Sequence, residues 1–322
     1  MSGDELDCPF PSALNPATSA AHQHTRRWAE RMGLPAAEGK HQLAAERFTW
    51  LVGHFFPWAR PRELELISDF TSWLFWHDDL CDETSLGEDP EALARRFDHL
   101  VGILTRRQEP RAEEPFDRAL ADLRDRFEQA APSPGWLTRL VASIEHYFEG
   151  GVWEADNRRR GAVPDLDTFV DMRRFAGGMY IYVDFVELTA GVELPLVARR
   201  HRDVRRLVQI ACNVACWHND LFSLEKERGY GDVHNLVLVL AQERRLDLAE
   251  ARRAAVEHCN REVSVFAPVE ERLPSFGAEI DPLLADYRRG LGALMRGNLD
   301  WSLATERYRG ATAPQAAPVP CD

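Results

Sequence analysis

The chain has 322 residues, of which 45% are hydrophobic and 28% charged, enough for one large core with no linker that would demand two. Its net charge of −13 disfavours a nucleic-acid binder, because phosphate recognition requires a basic surface. No stretch approaches the roughly 20 apolar residues of a membrane span, and residues 1–7 lack the basic region and apolar core of a signal peptide.

Helical periodicity with Pro or Gly punctuation recurs along the chain and strand alternation does not, so the sequence predicts an all-α fold. Helices are expected over 18–33, 41–56, 61–83, 89–107, 114–130, 135–158, 166–175, 179–190, 200–227, 234–244, 247–270 and 276–308. Residues 1–17 then form an N-terminal segment, 18–309 a single helical domain, and 310–322 a low-complexity tail expected to be disordered. The six cysteines, Cys8, Cys81, Cys212, Cys216, Cys259 and Cys321, show no C-x-x-C and no small-domain disulfide pattern, which suits a reducing, cytoplasmic setting.

Two acidic clusters stand out, Asp78-Asp79-Leu80-Cys81-Asp82-Glu83 and Asn219-Asp220-Leu221-Phe222-Ser223-Leu224-Glu225-Lys226-Glu227. In the second, Asn219, Ser223 and Glu227 are spaced i, i+4, i+8 and fall within a sector of about 80° on one helix face. An amide carbonyl, a hydroxyl and a carboxylate are hard oxygen donors suited to magnesium. In the first, Asp78 and Asp82 share a face and are the better ligand candidates; Asp79 and Glu83 lie roughly 100° further round, in supporting or hinge positions. Acidic runs on helices are usually solvated, but both clusters follow segments too apolar for a surface helix, Phe70-Thr71-Ser72-Trp73-Leu74-Phe75-Trp76 and Val208–Trp217. A carboxylate on a buried helix must be paired, protonated or metal-bound.

The paired motifs resemble those of bacterial class I terpene synthases (terpene cyclases), in which D-D-x-x-D(E) and N-D-x-x-S-x-x-x-E hold three magnesium ions and the diphosphate of an isoprenoid substrate. The resemblance runs from residue 78 to residue 308. It implies that Arg173, 46 residues before Asn219, senses the diphosphate, that the Gly177 carbonyl acts in ionisation, and that Arg307 and Tyr308 form the family's terminal Arg-Tyr pair. The polar residue usual between sensor and glycine is absent: Ala176 stands there. Lys226 lies about 20° from Asn219 on the same face, which fits a diphosphate contact; a salt bridge to Glu225 or a neighbouring helix is the plainer alternative. Phe75 and Trp301 match pocket aromatics of the family, with Phe55, Trp217 and Phe185 as further candidates.

By this resemblance the protein is a lyase that ionises a linear isoprenoid diphosphate, farnesyl diphosphate being usual in members of this size, and cyclises the cation to a hydrocarbon or alcohol. A twenty-carbon geranylgeranyl substrate stays open, as does a homodimer. A chain-elongating prenyltransferase would carry a second D-D-x-x-D where this chain has Asn-Asp-Leu-Phe-Ser, and a non-catalytic helical binding protein would have no need of either motif. There is no Gly-rich phosphate loop, Ser-His-Asp signature or dinucleotide fingerprint. Cys212, Cys216 and His218 lack the offsets of a finger-like zinc site, and His77 and His218 read as packing residues.

Overall fold

The computed structural model describes residues 6–34, 40–82, 85–305 and 307–308, and for residues 40–47, 82, 85 and 230 the backbone alone. The 310–322 tail therefore lies outside the described residues. Among those described there is no strand, and the helices are α1 (Thr18–Met32), α2 (Lys40–Phe55), α3 (Pro61–Asp82), α4 (Pro90–Leu104), α5 (Pro115–Ala130), α6 (Pro134–Arg160), α7 (Leu166–Ala176), α8 (Met179–Ala190), α9 (Leu196–Arg199), α10 (Arg202–Tyr230), α11 (Leu236–Arg244), α12 (Leu248–Ser264), α13 (Phe266–Glu271) and α14 (Asp281–Ala304).

The helix starts follow from local chemistry. Asp89, Ser133, Asp165 and Asp247 each accept a hydrogen bond from a backbone N–H in the first turn of the helix that follows, a cap worth about 1 kcal/mol. Pro90 and Pro134 occupy first-turn positions where their missing N–H costs nothing. Gly33, Gly161 and Gly231 close α1, α6 and α10 in the left-handed conformation.

Three expectations need correction. The 247–270 helix is two, α12 and α13, separated at Val265. The short α9 precedes α10, which starts at Arg202 after the His201 cap. The last helix does not run over 276–308: it starts at Asp281, whose carboxylate accepts from Ser275 Oγ and Phe276 N, and stops at Ala304. Thr305 is extended (φ −71°, ψ 147°), and Arg307 and Tyr308 stand in a turn beyond it. Residues 6–17 pack along the helices. Asn15 Nδ2 donates to the Phe56 and Ala59 carbonyls, and the Phe10 ring packs edge-on to Phe266 at 5.1 Å.

The long α10 packs against α14, α12, α7 and α8, while α14 packs on α2, and α3 on α1, α2 and α5. The core is rich in aromatic rings, which bury much apolar area per residue. Phe70, Phe127 and Phe185 form one such group, with ring centroids 5.5–5.6 Å apart. The buried indole N–H groups of Trp73 and Trp136 donate to the carbonyls of Phe116 and Asp184, so these rings pack without stranding a donor.

Candidate active site

The two acidic clusters end up on facing walls of one cavity. From α3 come Leu74, Phe75, Asp78 and Asp79; from α10, Ala215, Cys216, Asn219, Ser223, Lys226 and Glu227. Arg173, Ala176 and Gly177 enter from the end of α7, and Trp301, Arg307 and Tyr308 from α14 and the turn beyond it. The side chain of Asp82 and residue Glu83 lie outside the described residues.

Each ladder residue is held by a named neighbour. Asn219 Nδ2 donates to Tyr308 Oη at 2.6 Å, and its Oδ1 accepts from Arg173 Nη2 at 3.3 Å. Ser223 Oγ donates to the Asn219 carbonyl at 2.9 Å, which keeps the oxygen lone pairs available to a cation. Asn235 Nδ2 donates to Glu227 Oε2 and to the Asp220 carbonyl, both at 2.7 Å. Across the cavity, Tyr147 Oη donates to Asp78 Oδ1 at 2.8 Å.

Asp79 anchors the cations. Arg307 reaches both its oxygens, at 2.6 and 3.2 Å, and Lys226 Nζ stands 3.5 Å from Oδ1. Lys226 is therefore bridged to the neighbouring helix α3, while Glu225 pairs with Arg228 instead. The Arg307 guanidinium also lies over the Phe48 and Phe75 rings, 5.4 and 5.2 Å from their centroids. Phe75 stacks on Phe48 at 4.3 Å and tilts toward Trp301 at 6.3 Å, and Trp301 meets Tyr308 edge-on at 5.7 Å.

Arg173 is fixed by Asp220, whose Oδ1 accepts from Nε at 2.9 Å and Nη2 at 2.7 Å. Burial works against the guanidinium charge, but Asp220 beside it holds the pKa well above the ordinary arginine value. Asp220 is fully buried, and its other oxygen accepts from Leu236 N.

The aromatic candidates divide. Phe55, Phe75 and Trp301 line the cavity. Phe185 belongs to the core group with Phe70 and Phe127, and Trp217 packs on His258 at 4.6 Å; these two expectations are corrected. His77 and His218 are fully buried, and burial pushes their pKa values down to about 3 and about 4, so both are neutral at neutral pH; His77 Nε2 accepts from Arg96 Nε at 2.9 Å.

Sequence reasoning missed the α6 wall. Tyr147, Glu154 and Arg158 line the cavity at i, i+7 and i+11, a polar stripe at helical spacing that could have been read. It also missed Asp232 and His234, joined at 2.7 Å in the loop before α11, and Asn235, whose role as cap of α11 was the available signal.

The donor set suits a hard cation. Burial and the adjacent Asp79 raise the Asp78 pKa; burial and Asp220 push Glu227 up to about 7. Both carboxylates thus lack full compensation from the protein, and a bound cation would supply it. Among the described residues no three His, Cys, Asp or Glu side chains are grouped closely enough to hold an ion alone, so any ion here would draw on amide and hydroxyl donors, water or substrate oxygens as well. Asp78, Asp79, Glu154, Glu227 and Asp232 outnumber the four cationic side chains on the lining, Arg158, Arg173, Lys226 and Arg307. The cations already face Asp79, Asp220 and Asp232. A polyanionic ligand would need added positive charge.

Comparison with known proteins agrees with this geometry. Residues 69–264 match the family model described as terpene synthase family 2, C-terminal metal binding. A (+)-T-muurolol synthase from Roseiflexus castenholzii is 36% identical over 93% of this chain and 92% of its own length. A germacrene A synthase from Nostoc punctiforme is 35% identical over 94% of each. Among solved structures, germacradien-4-ol synthase from Streptomyces citricolor superposes with a TM-score of 0.84 at 26% identity, covering 95% of this chain and all of that one. With two acidic motifs on opposite walls of one cavity and relatives matched along nearly the whole chain, the protein belongs to the terpene synthases with a C-terminal metal-binding region.

Proposed function

We propose that the protein is a magnesium-dependent sesquiterpene cyclase that ionises farnesyl diphosphate and cyclises the resulting cation. The observation that carries this is the cavity itself: Asp78 faces the Asn219, Ser223 and Glu227 ladder, basic groups flank them, and Phe55, Phe75 and Trp301 form apolar walls. The named products of the relatives, muurolol, germacrene and germacradienol, point to a fifteen-carbon substrate. We assign residues 18–309 to one catalytic domain.

Breaking the allylic C–O bond separates a cation from a trianionic leaving group. Asp78, Asp82, Asn219, Ser223 and Glu227 are the residues that would hold the metal, three magnesium ions in this reading; when bound, they neutralise the diphosphate and assist its departure. Arg173, Lys226, Arg307 and Tyr308 orient the diphosphate through N–H and O–H donors. Phe75 and Trp301 turn aromatic faces to the hydrocarbon, where their quadrupoles stabilise positive charge, and these apolar walls shield the cation from water.

The decisive test is gas chromatography with mass spectrometry after incubation with geranyl, farnesyl or geranylgeranyl diphosphate, each with and without magnesium. A magnesium-dependent cyclic product from farnesyl diphosphate is expected. A product from the twenty-carbon substrate alone would reassign chain length, and none from any would remove the cyclase reading.

Two variants test the parts. Glu227→Gln and Asn219→Ala should each raise the magnesium concentration for half-maximal turnover by at least about tenfold, as losses around metal ligands commonly do; overlay of their titrations on wild type would exclude the ladder. Phe75→Ala should redistribute products more than it changes KM, and an unchanged product profile would return Phe75 to a packing role.

A further inference from the structure

Arg173 is gripped by α10 at two points. Its guanidinium is held by Asp220 and, at 3.3 Å, by Asn219. Its backbone carbonyl accepts the Cys216 thiol, Sγ to O 3.4 Å, together with Gly177 N at 2.8 Å. Cys216 and Asp220 are four residues apart and so lie on one face of α10.

The sulfur is also seated against the glycine. A Cβ built on Gly177 would stand 2.5 Å from Cys216 Sγ and 2.9 Å from the Arg173 carbonyl oxygen. The Gly177 backbone itself is ordinary (φ −77°, ψ 0°), and the left-handed turn belongs to Gly178 (φ +65°). Glycine is therefore required at 177 by the closeness of the sulfur, and of the Arg173 carbonyl oxygen behind it, rather than by conformation. On the other side, α6 presents Gly150, where a Cβ would lie 2.7 Å from Ala176 Cα and N. The end of α7 is thus wedged between a glycine of α6 and a cysteine of α10, and Ala176 has no polar group with which to tie itself down. Burial pushes the Cys216 thiol up to about 12, against the opposing pull of Arg173, so its proton is present to donate throughout the neutral range.

We propose that Cys216 is a positioning residue: it pins the last turn of α7 to α10, so that Arg173 and the Gly177 peptide meet the substrate diphosphate in fixed register. This rests on reading Arg173 as a diphosphate contact. With the carbonyl pinned, an anion drawing on the guanidinium moves the side chain without carrying the backbone of Gly177 away from the cavity.

The test is steady-state kinetics with farnesyl diphosphate and magnesium on Cys216→Ala, Cys216→Ser and Arg173→Met. Cys216→Ala should lower kcat about tenfold, the scale of a sub-ångström misplacement, with KM little changed; Cys216→Ser, which keeps a donor, should restore most of it. A serine variant as slow as the alanine variant, or an alanine variant with wild-type kcat and only a lower Tm, overturns the proposal. Near-normal kcat and KM in Arg173→Met would overturn the underlying reading of Arg173 and the proposal with it, whereas loss in Arg173→Met beside intact Cys216→Ala would remove the pinning alone. Should Cys216→Ala fold poorly, Gly177→Ala and Gly177→Ala/Cys216→Ala decide. The double variant should turn over faster than Gly177→Ala, because the nearer of the two collisions, with the sulfur, is gone; simple addition of the two losses would show that the contact is not coupled.

Discussion

Asp78→Ala should lower turnover by about three orders of magnitude, the scale on which preorganised charge stabilisation acts, while leaving the helical fold intact. The residue faces the cavity, and burial together with Asp79 raises its pKa, so its charge is tolerated by the fold rather than needed by it. The sign follows from linkage. A carboxyl whose folded pKa exceeds its unfolded value favours the protonated folded state, so stability falls as pH rises from the ordinary aspartate range toward the folded pKa. Asp78→Asn, which keeps the shape and removes that charge, should therefore match or exceed the wild-type melting temperature at pH 7 in magnesium-free buffer. Product assays beside thermal melts check both halves. Wild-type turnover in Asp78→Ala would remove the metal assignment, and a sharply lowered melting point in Asp78→Asn would show that the carboxylate supports the fold.

A larger loss of stability is expected at Asp220, the neighbour of the ladder's first residue: burial raises its pKa as it does that of Asp78, but its carboxylate is bonded to a buried guanidinium. Asp220→Ala leaves the Arg173 guanidinium without its carboxylate, with the Asn219 amide oxygen still in reach, and strands the Leu236 N–H. Removing one member of a buried pair costs about 3–5 kcal/mol, because the other charge stays in a poorly solvated place. Urea unfolding followed by circular dichroism should show a loss of this size. An unchanged midpoint would mean that Arg173 finds another partner or reaches water.

The two acidic clusters and the i, i+4, i+8 ladder were legible because helical spacing is local. Arg307 and Tyr308 were legible as candidates but not in their conformation: the apolar period of α14 gives no sign that the chain turns at Thr305, and what the turn gains there, the Asp79 pair and the Phe48 and Phe75 rings, lies more than 200 residues away. Phe55 and Phe185 are equivalent as letters; only the packing of α2 on α14 and α3, and of α8 on α14 and α6, sends one to the cavity and the other to the core. The spacing of Tyr147 with Glu154 and Arg158 was legible, but its partner was not, since Asp78 is 69 positions distant.

The position of Arg307 bears on how product range could be altered in this protein. Its guanidinium contacts Asp79 and the Phe75 face together, so a smaller residue at 75 removes a cation–π contact worth about 0.5–2 kcal/mol and loosens an ion pair beside the diphosphate region. Selection for new products at Phe75 would then carry a cost in turnover. Phe55 has Phe56 and Tyr182 as its ring neighbours, and substitutions there can reshape the cavity wall without touching that pair.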